Sequence, residues 1–149
     1  MLLAQNKKAY AEYEVLEKIE AGIVLTGPEV KSVRGSQVNL KGSYIEVAPD
    51  GQAYTRNIHI SPYKQAPNPA YNPTARRKLL LHKKEIGKIQ NQLDTKGTTV
   101  IPLDFHLNDN RIKLTIGICQ GKKKYDRRNE LKKKAQNLDI KRALKKYSR

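Results

Sequence analysis

The residues of this chain that could carry chemistry are mainly cations, and the candidates for catalysis are scattered. No pair of its three histidines has the spacing by which a helix presents two ligands to one metal ion. No serine lies in a nucleophile elbow, and no glycine-rich phosphate loop is present. Cys119 is the only cysteine, so an internal disulfide and a cysteine-based zinc site are excluded. Its apolar neighbours indicate a buried thiol. We therefore predict no enzyme, no metal site and no cofactor.

The positive charge is large and unevenly distributed. The chain has 30 Lys and Arg against 14 Asp and Glu, a formal net charge of +16. Residues 121–149 hold 13 bases and three acids, a net +10, whereas residues 1–120 hold 17 bases and 11 acids, a net +6. Such an arm requires a polyanionic partner. Because it lacks the aromatic and leucine-rich face of an interfacial helix, nucleic acid is favoured over a membrane.

Two further basic clusters lie in the middle of the chain. Arg76-Arg77-Lys78 and Lys83-Lys84 fall within one predicted helix, and a proline-rich loop with Tyr63 and Tyr71 precedes it. Tyrosines beside cations are typical of surfaces that stack on unpaired bases. The alternative is an ordinary solvated helix face.

Glu29 is the unusual member of a short basic segment, Glu29 to Arg34. A carboxylate is an odd choice near phosphates, but it can accept hydrogen bonds from the amino groups of cytosine or guanine. It can equally well cap the helix that Thr26 and Pro28 indicate. The sequence leaves both interpretations open.

The elements that position these residues are mostly strands. Alternation and turn residues predict a mainly β fold, a small OB-like barrel of about six strands with a basic tail. The predicted elements are a strand over 13–25 with a bulge or bend at Gly22, a short helix ending before Gly35, hairpins over 43–58 and 98–118, and a helix from Pro73 to about Gln92. We divide the chain into a body, residues 1–124, and a tail, residues 125–149.

No run approaches the ~20 apolar residues of a membrane span, and the first residues are too short for a secretory signal. We expect a cytoplasmic protein. The tail has only a weak apolar stripe among strong helix formers, so we expect it to be disordered in isolation and helical when its charge is neutralised.

Several motifs, in matching order and spacing from about residue 6 to 145, resemble one family. They are Asn6-Lys7-Lys8-Ala9, Glu20-Ala21-Gly22-Ile23, Gly27-Pro28-Glu29-Val30-Lys31-Ser32, His59-Ile60-Ser61-Pro62-Tyr63, Arg77-Lys78-Leu79-Leu80-Leu81 and Gly121-Lys122-Lys123-Lys124-Tyr125-Asp126-Arg127-Arg128. This set resembles the SmpB family, the bacterial tmRNA-binding (SsrA-binding) proteins of trans-translation.

The resemblance implies an OB-like barrel with about three helices that binds the tRNA-like domain of tmRNA. Such a protein, expected as a monomer, acts with elongation factor Tu to bring alanyl-tmRNA to stalled ribosomes. Its tail becomes helical in the empty mRNA channel beyond the decoding centre, where the ribosome resumes on tmRNA and tags the nascent chain.

Matching motifs also imply site residues. The expected tmRNA surface comprises Asn6, Lys7, Glu29, Lys31, Ser32, Arg34, Arg77, Lys78, Leu80, Gly121, Lys122, Lys123 and Lys124. The expected ribosome-binding tail comprises Asp126, Arg127, Arg128, Lys132, Lys133, Lys134, Lys141 and Arg142.

Three positions depart from the family pattern. Lys7 stands where arginine is usual, Ser36 where glycine is usual, and Arg127 where the family has lysine between Asp and Arg. Two other classes explain the basic arm as well: a structural protein of the ribosome, or an RNA-processing enzyme, which would require turnover.

Overall fold

The computed structural model describes residues 1–121. Lys122, Lys123, Lys124 and all the expected ribosome-binding residues lie outside that range. Within it, nine strands and three helices follow one another as β1 (Leu2–Gln5), α1 (Lys7–Glu12), β2 (Tyr13–Ile23), α2 (Gly27–Arg34), β3 (Val38–Asn39), β4 (Tyr44–Val47), β5 (Ala53–Arg56), β6 (His59–Ile60), β7 (Arg77–Leu80), α3 (Lys83–Leu93), β8 (Thr98–Asn108) and β9 (Arg111–Gly121).

Seven strands form one antiparallel sheet in the order β1-β8-β9-β2-β7-β5-β4, and β3 pairs with β6. The sheet is not closed, but it curls so that β4 packs beside β8 and α3. The predicted mainly β, OB-like fold with three helices is therefore confirmed. The strand count exceeds the predicted six because β1, β3 and β6 are only two to four residues long and have little pattern.

The long strands follow from alternation and turn chemistry. The hairpin of β8 and β9 turns at Asp109 and Asn110, whose φ angles are 52° and 62°, as a two-residue turn requires. The strand predicted over 13–25 is β2. Its bulge lies between Val15 and Glu17 rather than at Gly22.

The helix predicted from Pro73 to about Gln92 is wrong in its first half. Arg77–Leu80 is β7, with alternate buried and exposed residues, and it pairs with β2 on one side and β5 on the other. The helix begins only at Lys83, where the Glu85 carboxylate accepts from the His82 N–H at 3.0 Å. Leucines at helical spacing misled the prediction, because sheet pairing on both sides outweighs local propensity.

The core lies inside the curled sheet, beneath α3. Phe105, Leu114, Ile116, Leu79 and Ile89 are completely buried. No helix among residues 1–121 has the length and apolarity to cross a membrane.

Cys119 belongs to a smaller buried cluster with Ala9, Ile101 and Leu103. Burial raises the pKa of its thiol to about 11, which leaves it neutral at physiological pH. This confirms the predicted buried thiol.

Candidate nucleic-acid interface

Glu29 lies at the start of α2 and caps that helix. Its Oε1 accepts from the Thr26 N–H at 3.0 Å, and its own N–H donates to the Thr26 hydroxyl at 3.3 Å. This reciprocal pair is a capping box, and Pro28 occupies the first turn, where a missing N–H costs nothing. The capping interpretation of Glu29 is therefore confirmed.

The other carboxylate oxygen of Glu29 is the centre of a buried network. Arg77 Nε donates to Oε2 at 2.6 Å, and the Tyr71 hydroxyl donates to the same atom at 3.1 Å. The guanidinium also donates to the carbonyl oxygens of Ile58 and Pro73, each at 2.9 Å. Glu29 and Arg77 are only 6% and 4% exposed, so the pair ties α2 to β7 and to the loop between β6 and β7.

The charge of Glu29 survives this burial. Burial acts to raise the pKa of the carboxyl, but the Thr26 N–H and the Arg77 guanidinium outweigh it and hold that pKa below its ordinary value. Arg77 is thus an internal partner of a carboxylate, not a cation on a helix surface as the sequence suggested.

The remaining α2 residues divide between inside and outside. Ser32 is buried, and its hydroxyl donates to the Ser61 carbonyl oxygen at 2.7 Å. Lys31 is exposed, with its ammonium 5.2 Å from the centre of the Tyr63 ring. Arg34 is exposed and donates to the Asn110 carbonyl oxygen at 2.8 Å. One face of α2 therefore fixes the helix, while the other offers two cations.

The turn after α2 contains Ser36, which stands where glycine is usual. Gly35 ends the helix with an ordinary φ of −83°, whereas Ser36 has a φ of +59°. That left-handed conformation favours glycine, which is the residue the family pattern has at this position. Ser36 therefore adopts a strained backbone at the position where glycine is expected.

Asn6 is a second internal anchor. Its Oδ1 accepts from the Ala9 N–H at 3.1 Å and so caps α1, while its Nδ2 donates to the carbonyl oxygens of Leu40 and Pro102. The side chain, 5% exposed, joins α1 to two parts of the barrel. Lys7 is exposed beside it.

The outward residues of β7 are Lys78 and Leu80, and the Leu80 side chain is 57% exposed. They line a groove of about 440 Å³ whose wall also includes Lys113 of β9. Gly22 also lines this groove and pairs with Leu80; a Cβ there would lie only 3.1 Å from that of Leu80, so glycine permits this close approach of β2 and β7.

One stacking pair was missed from the sequence. The Arg76 guanidinium lies 4.1 Å from the centre of the Tyr54 ring, beside the pairing of Tyr54 with Lys78. The alternation of Ala53–Arg56 was the available signal, since it places Tyr54 on the outer face.

The predicted residues thus fall into three places. Glu29, Lys31, Ser32, Arg34 and Arg77 share α2 and the network beneath it. Asn6 and Lys7 lie at α1, and Gly121 pairs with Tyr13 directly after that helix, so the end of β9 lies near α1. Lys78 and Leu80 form the outer face of β7. No cluster of His, Cys, Asp and Glu suited to a metal ion occurs among residues 1–121.

Comparison with known proteins decides the family. A family model described as SmpB protein matches residues 3–146, nearly the whole chain. The chain belongs to the SmpB family. The resemblance drawn from the six motifs is thereby confirmed.

Relatives within the SmpB family match over almost their full length. SsrA-binding proteins of Enterococcus hirae and of Lactiplantibacillus plantarum are 43% and 48% identical to the chain. These alignments cover 99% and 97% of this chain and 96% and 92% of the relatives. A solved SmpB chain, from work described as "tmRNA-SmpB: a journey to the center of the bacterial ribosome", is 37% identical with a TM-score of 0.69. That match covers 82% of this chain and 85% of the solved one.

Proposed function

We propose that this protein is the RNA-binding adaptor of trans-translation, which binds the tRNA-like domain of tmRNA and brings it to stalled ribosomes. The observation that carries the proposal is the SmpB family match over residues 3–146. The solved relative associated with tmRNA and the bacterial ribosome supports it, as does a net charge of +16 on 149 residues. The adaptor is non-catalytic, because its partner's aminoacylated end supplies the chemistry and the protein supplies recognition.

The geometry divides the expected tmRNA residues into those exposed to contact RNA and those that hold the surface in shape. Lys7, Lys31, Arg34 and Lys78 are exposed cations for phosphates, and exposed Leu80 offers an apolar contact beside them. Asn6, Ser32 and Arg77 have their polar groups bonded internally, so we assign them to holding that surface in shape. Gly121 is the last residue of β9, and we assign Lys122, Lys123 and Lys124, which follow it in the sequence, to tmRNA binding as well.

The tail completes the proposal. Asp126, Arg127, Arg128 and the later basic residues address the ribosome, in the decoding centre and the empty mRNA channel. Delivery of the alanylated RNA is shared with elongation factor Tu, and the adaptor acts as a monomer in the cytoplasm.

A pull-down from total bacterial RNA tests the proposed binding of tmRNA. A tagging assay on stalled ribosomes tests the proposed role of the tail. The full chain is expected to enrich tmRNA over tRNA and ribosomal RNA and to support tagging. A variant ending at Lys124 is expected to retain enrichment and to lose tagging. If the full chain does not enrich tmRNA, the function is wrong; if the short variant still supports tagging, the role of the tail is wrong.

A further inference from the structure

A small cleft lies between the start of α2 and the loop that joins β6 to β7. Its volume is about 230 Å³ and its lining is mainly apolar, with Pro28, Pro62, Tyr63 and Tyr71 as walls. Pockets for drug-sized ligands span roughly 300–1,000 Å³, so this cleft has room for one planar ring system and little more. Rings of tyrosine and proline suit a flat aromatic ligand.

Among residues 1–121, the one charged residue that lines the cleft is an acceptor. Glu29 lines it, and its Oε1 receives only the Thr26 N–H, although a carboxylate oxygen accepts about two hydrogen bonds. The Oε2 atom is already occupied by Arg77 and Tyr71. Because the pKa of Glu29 is lowered despite burial, through its bonds to Thr26 and Arg77, Oε1 belongs to an anion that can accept one further hydrogen bond. A ring that reaches this atom must therefore present a donor to it.

The rim of the cleft is positive. The Lys31 ammonium lies 5.2 Å from the centre of the Tyr63 ring, and exposed Lys64 follows Tyr63 in the loop. The lysines at the rim would repel a cationic ligand, and the Glu29 carboxylate within the cleft would repel a free phosphate. A neutral ring that donates inward and carries a phosphate outward satisfies both.

We propose that this cleft binds a single unpaired nucleobase bearing an exocyclic amino group, with its phosphate beside Lys31. Cytosine, adenine and guanine can donate an amino hydrogen to Glu29 Oε1. Uracil cannot do so equally, because its one ring donor lies between two carbonyl oxygens that would face the carboxylate. The inference rests on the proposed RNA binding and deepens it, since it adds base selection to a surface of phosphate-binding cations.

Titration of the full chain with mononucleotides, followed by amide NMR signals, tests the cleft. CMP, AMP and GMP are expected to shift the signals of Thr26, Glu29, Tyr63 and Tyr71, and to bind at least about threefold more tightly than UMP. Inorganic phosphate alone is expected to leave the signals around Tyr71 unchanged. No shift at these residues up to about 20 mM, above the millimolar Kd that stacking and a hydrogen bond to the Glu29 carboxylate would give together, would overturn the inference.

The variant Tyr63→Ala removes one wall without touching the Glu29–Arg77 pair. It should weaken CMP and GMP binding about tenfold, whereas Tyr44→Ala, which changes an exposed tyrosine outside the cleft, should not. Thermal unfolding of both variants checks that the fold is kept. Equal affinity of all four mononucleotides, or equal binding by Tyr63→Ala, also overturns base selection. Either failure leaves the proposed function standing if the full chain still enriches tmRNA.

Discussion

Two adjacent cations, Arg77 and Lys78, show how burial separates residues that a sequence presents as alike. Alternation along β7 directs Arg77 inward and Lys78 outward. The arginine fork has five donors in fixed geometry, which suits several acceptors at once. In this protein those acceptors are the Glu29 carboxylate and the Ile58 and Pro73 carbonyl oxygens. Lys78, with a flexible stem and an exposed ammonium, remains free to meet a polyanion.

Replacement of Arg77 by methionine is expected to lower the free energy of unfolding by about 3–5 kcal/mol, because Glu29 would remain buried without its partner. Lys78→Met, the neighbouring change on the outer face, is expected to stay within about 0.5 kcal/mol. Urea unfolding of the two variants measures both values. Equal, small losses would mean that the Glu29–Arg77 pair contributes little to the fold.

At the scale of elements, the hairpins were predictable from sequence and β7 was not. The Asn108-Asp109-Asn110 and Pro49-Asp50-Gly51 turns carry residues with intrinsic turn preferences, so local information sufficed for both. β7 is determined by its two sheet partners, β2 and β5, which no local pattern records. β1 and α1 were missed for the same reason, since Asn6 holds them through distant carbonyl oxygens.

In the candidate site, too, local features could be predicted from the sequence and long-range contacts could not. The cations of α2 could be named from motifs, and the cap of Glu29 from its spacing to Thr26. The pairing of Glu29 with Arg77 joins residues 48 positions apart, and it depends on β7 being a strand. The cleft beside Tyr63 depends in turn on that pairing, because the network fixes the loop.

A side-chain bridge also joins strands β2 and β8 across β9. His106 Nδ1 lies 2.8 Å from Asp104 Oδ1, and its Nε2 lies 2.8 Å from Glu20 Oε2. Thr115 of β9 contacts the same ring at 3.3 Å, and Asn108 donates to the other oxygen of Glu20. Lys113 is the further charged group near Glu20. Partial burial acts to lower the pKa of His106, but the hydrogen bonds to Glu20 and Asp104 raise it above the ordinary value.

This bridge predicts a pH-dependent stability. A raised folded-state pKa means that protonated His106 stabilises the fold fully below its ordinary pKa of about 6.5, and that this contribution is lost as pH rises through the folded-state pKa. The hydrogen bonds from His106 and Asn108 lower the pKa of Glu20, so its own contribution is present above its unfolded-state pKa, about 4.3, and is lost as pH falls further. The bridge is therefore strongest at mildly acid pH.

The variant His106→Gln is expected to be less stable than the natural protein at about pH 5.5 and to approach it at about pH 9, because only the protonated ring donates to both carboxylates. Urea unfolding across this range measures the difference. His59→Gln, which changes an exposed histidine of β6, serves as the control and should show no such convergence. A constant difference for His106→Gln across the range would contradict the role of protonation.

At the scale of the whole molecule, the body and the C-terminal segment differ in charge density. Residues 1–120 carry a net +6 and residues 121–149 a net +10, so the shorter segment has the steeper electrostatic attraction to RNA. Some of the acids in residues 1–120 neutralise bases of the same segment. These ion pairs join Glu29 to Arg77, Glu17 to Lys88 and Glu46 to Arg56. The exposed cations on α2 and β7 are therefore few compared with the 13 bases in the last 29 residues.

This uneven distribution of charge predicts how salt weakens the sequence-independent part of the affinity for RNA. Each phosphate contact contributes roughly 0.7–0.9 to the slope of log affinity against log salt concentration. Replacing Lys132, Lys133 and Lys134 by glutamine is therefore expected to reduce the slope for a ribosomal RNA fragment by about 2–3. The matched variant has glutamine at the dispersed exposed lysines Lys41, Lys84 and Lys96, so it loses the same charge. It should reduce the slope by less than about 1, since dispersed residues contact few phosphates at once.

Fluorescence titrations at several salt concentrations measure both slopes. Equal reductions would show that net charge alone, rather than its concentration in residues 121–149, governs the attraction.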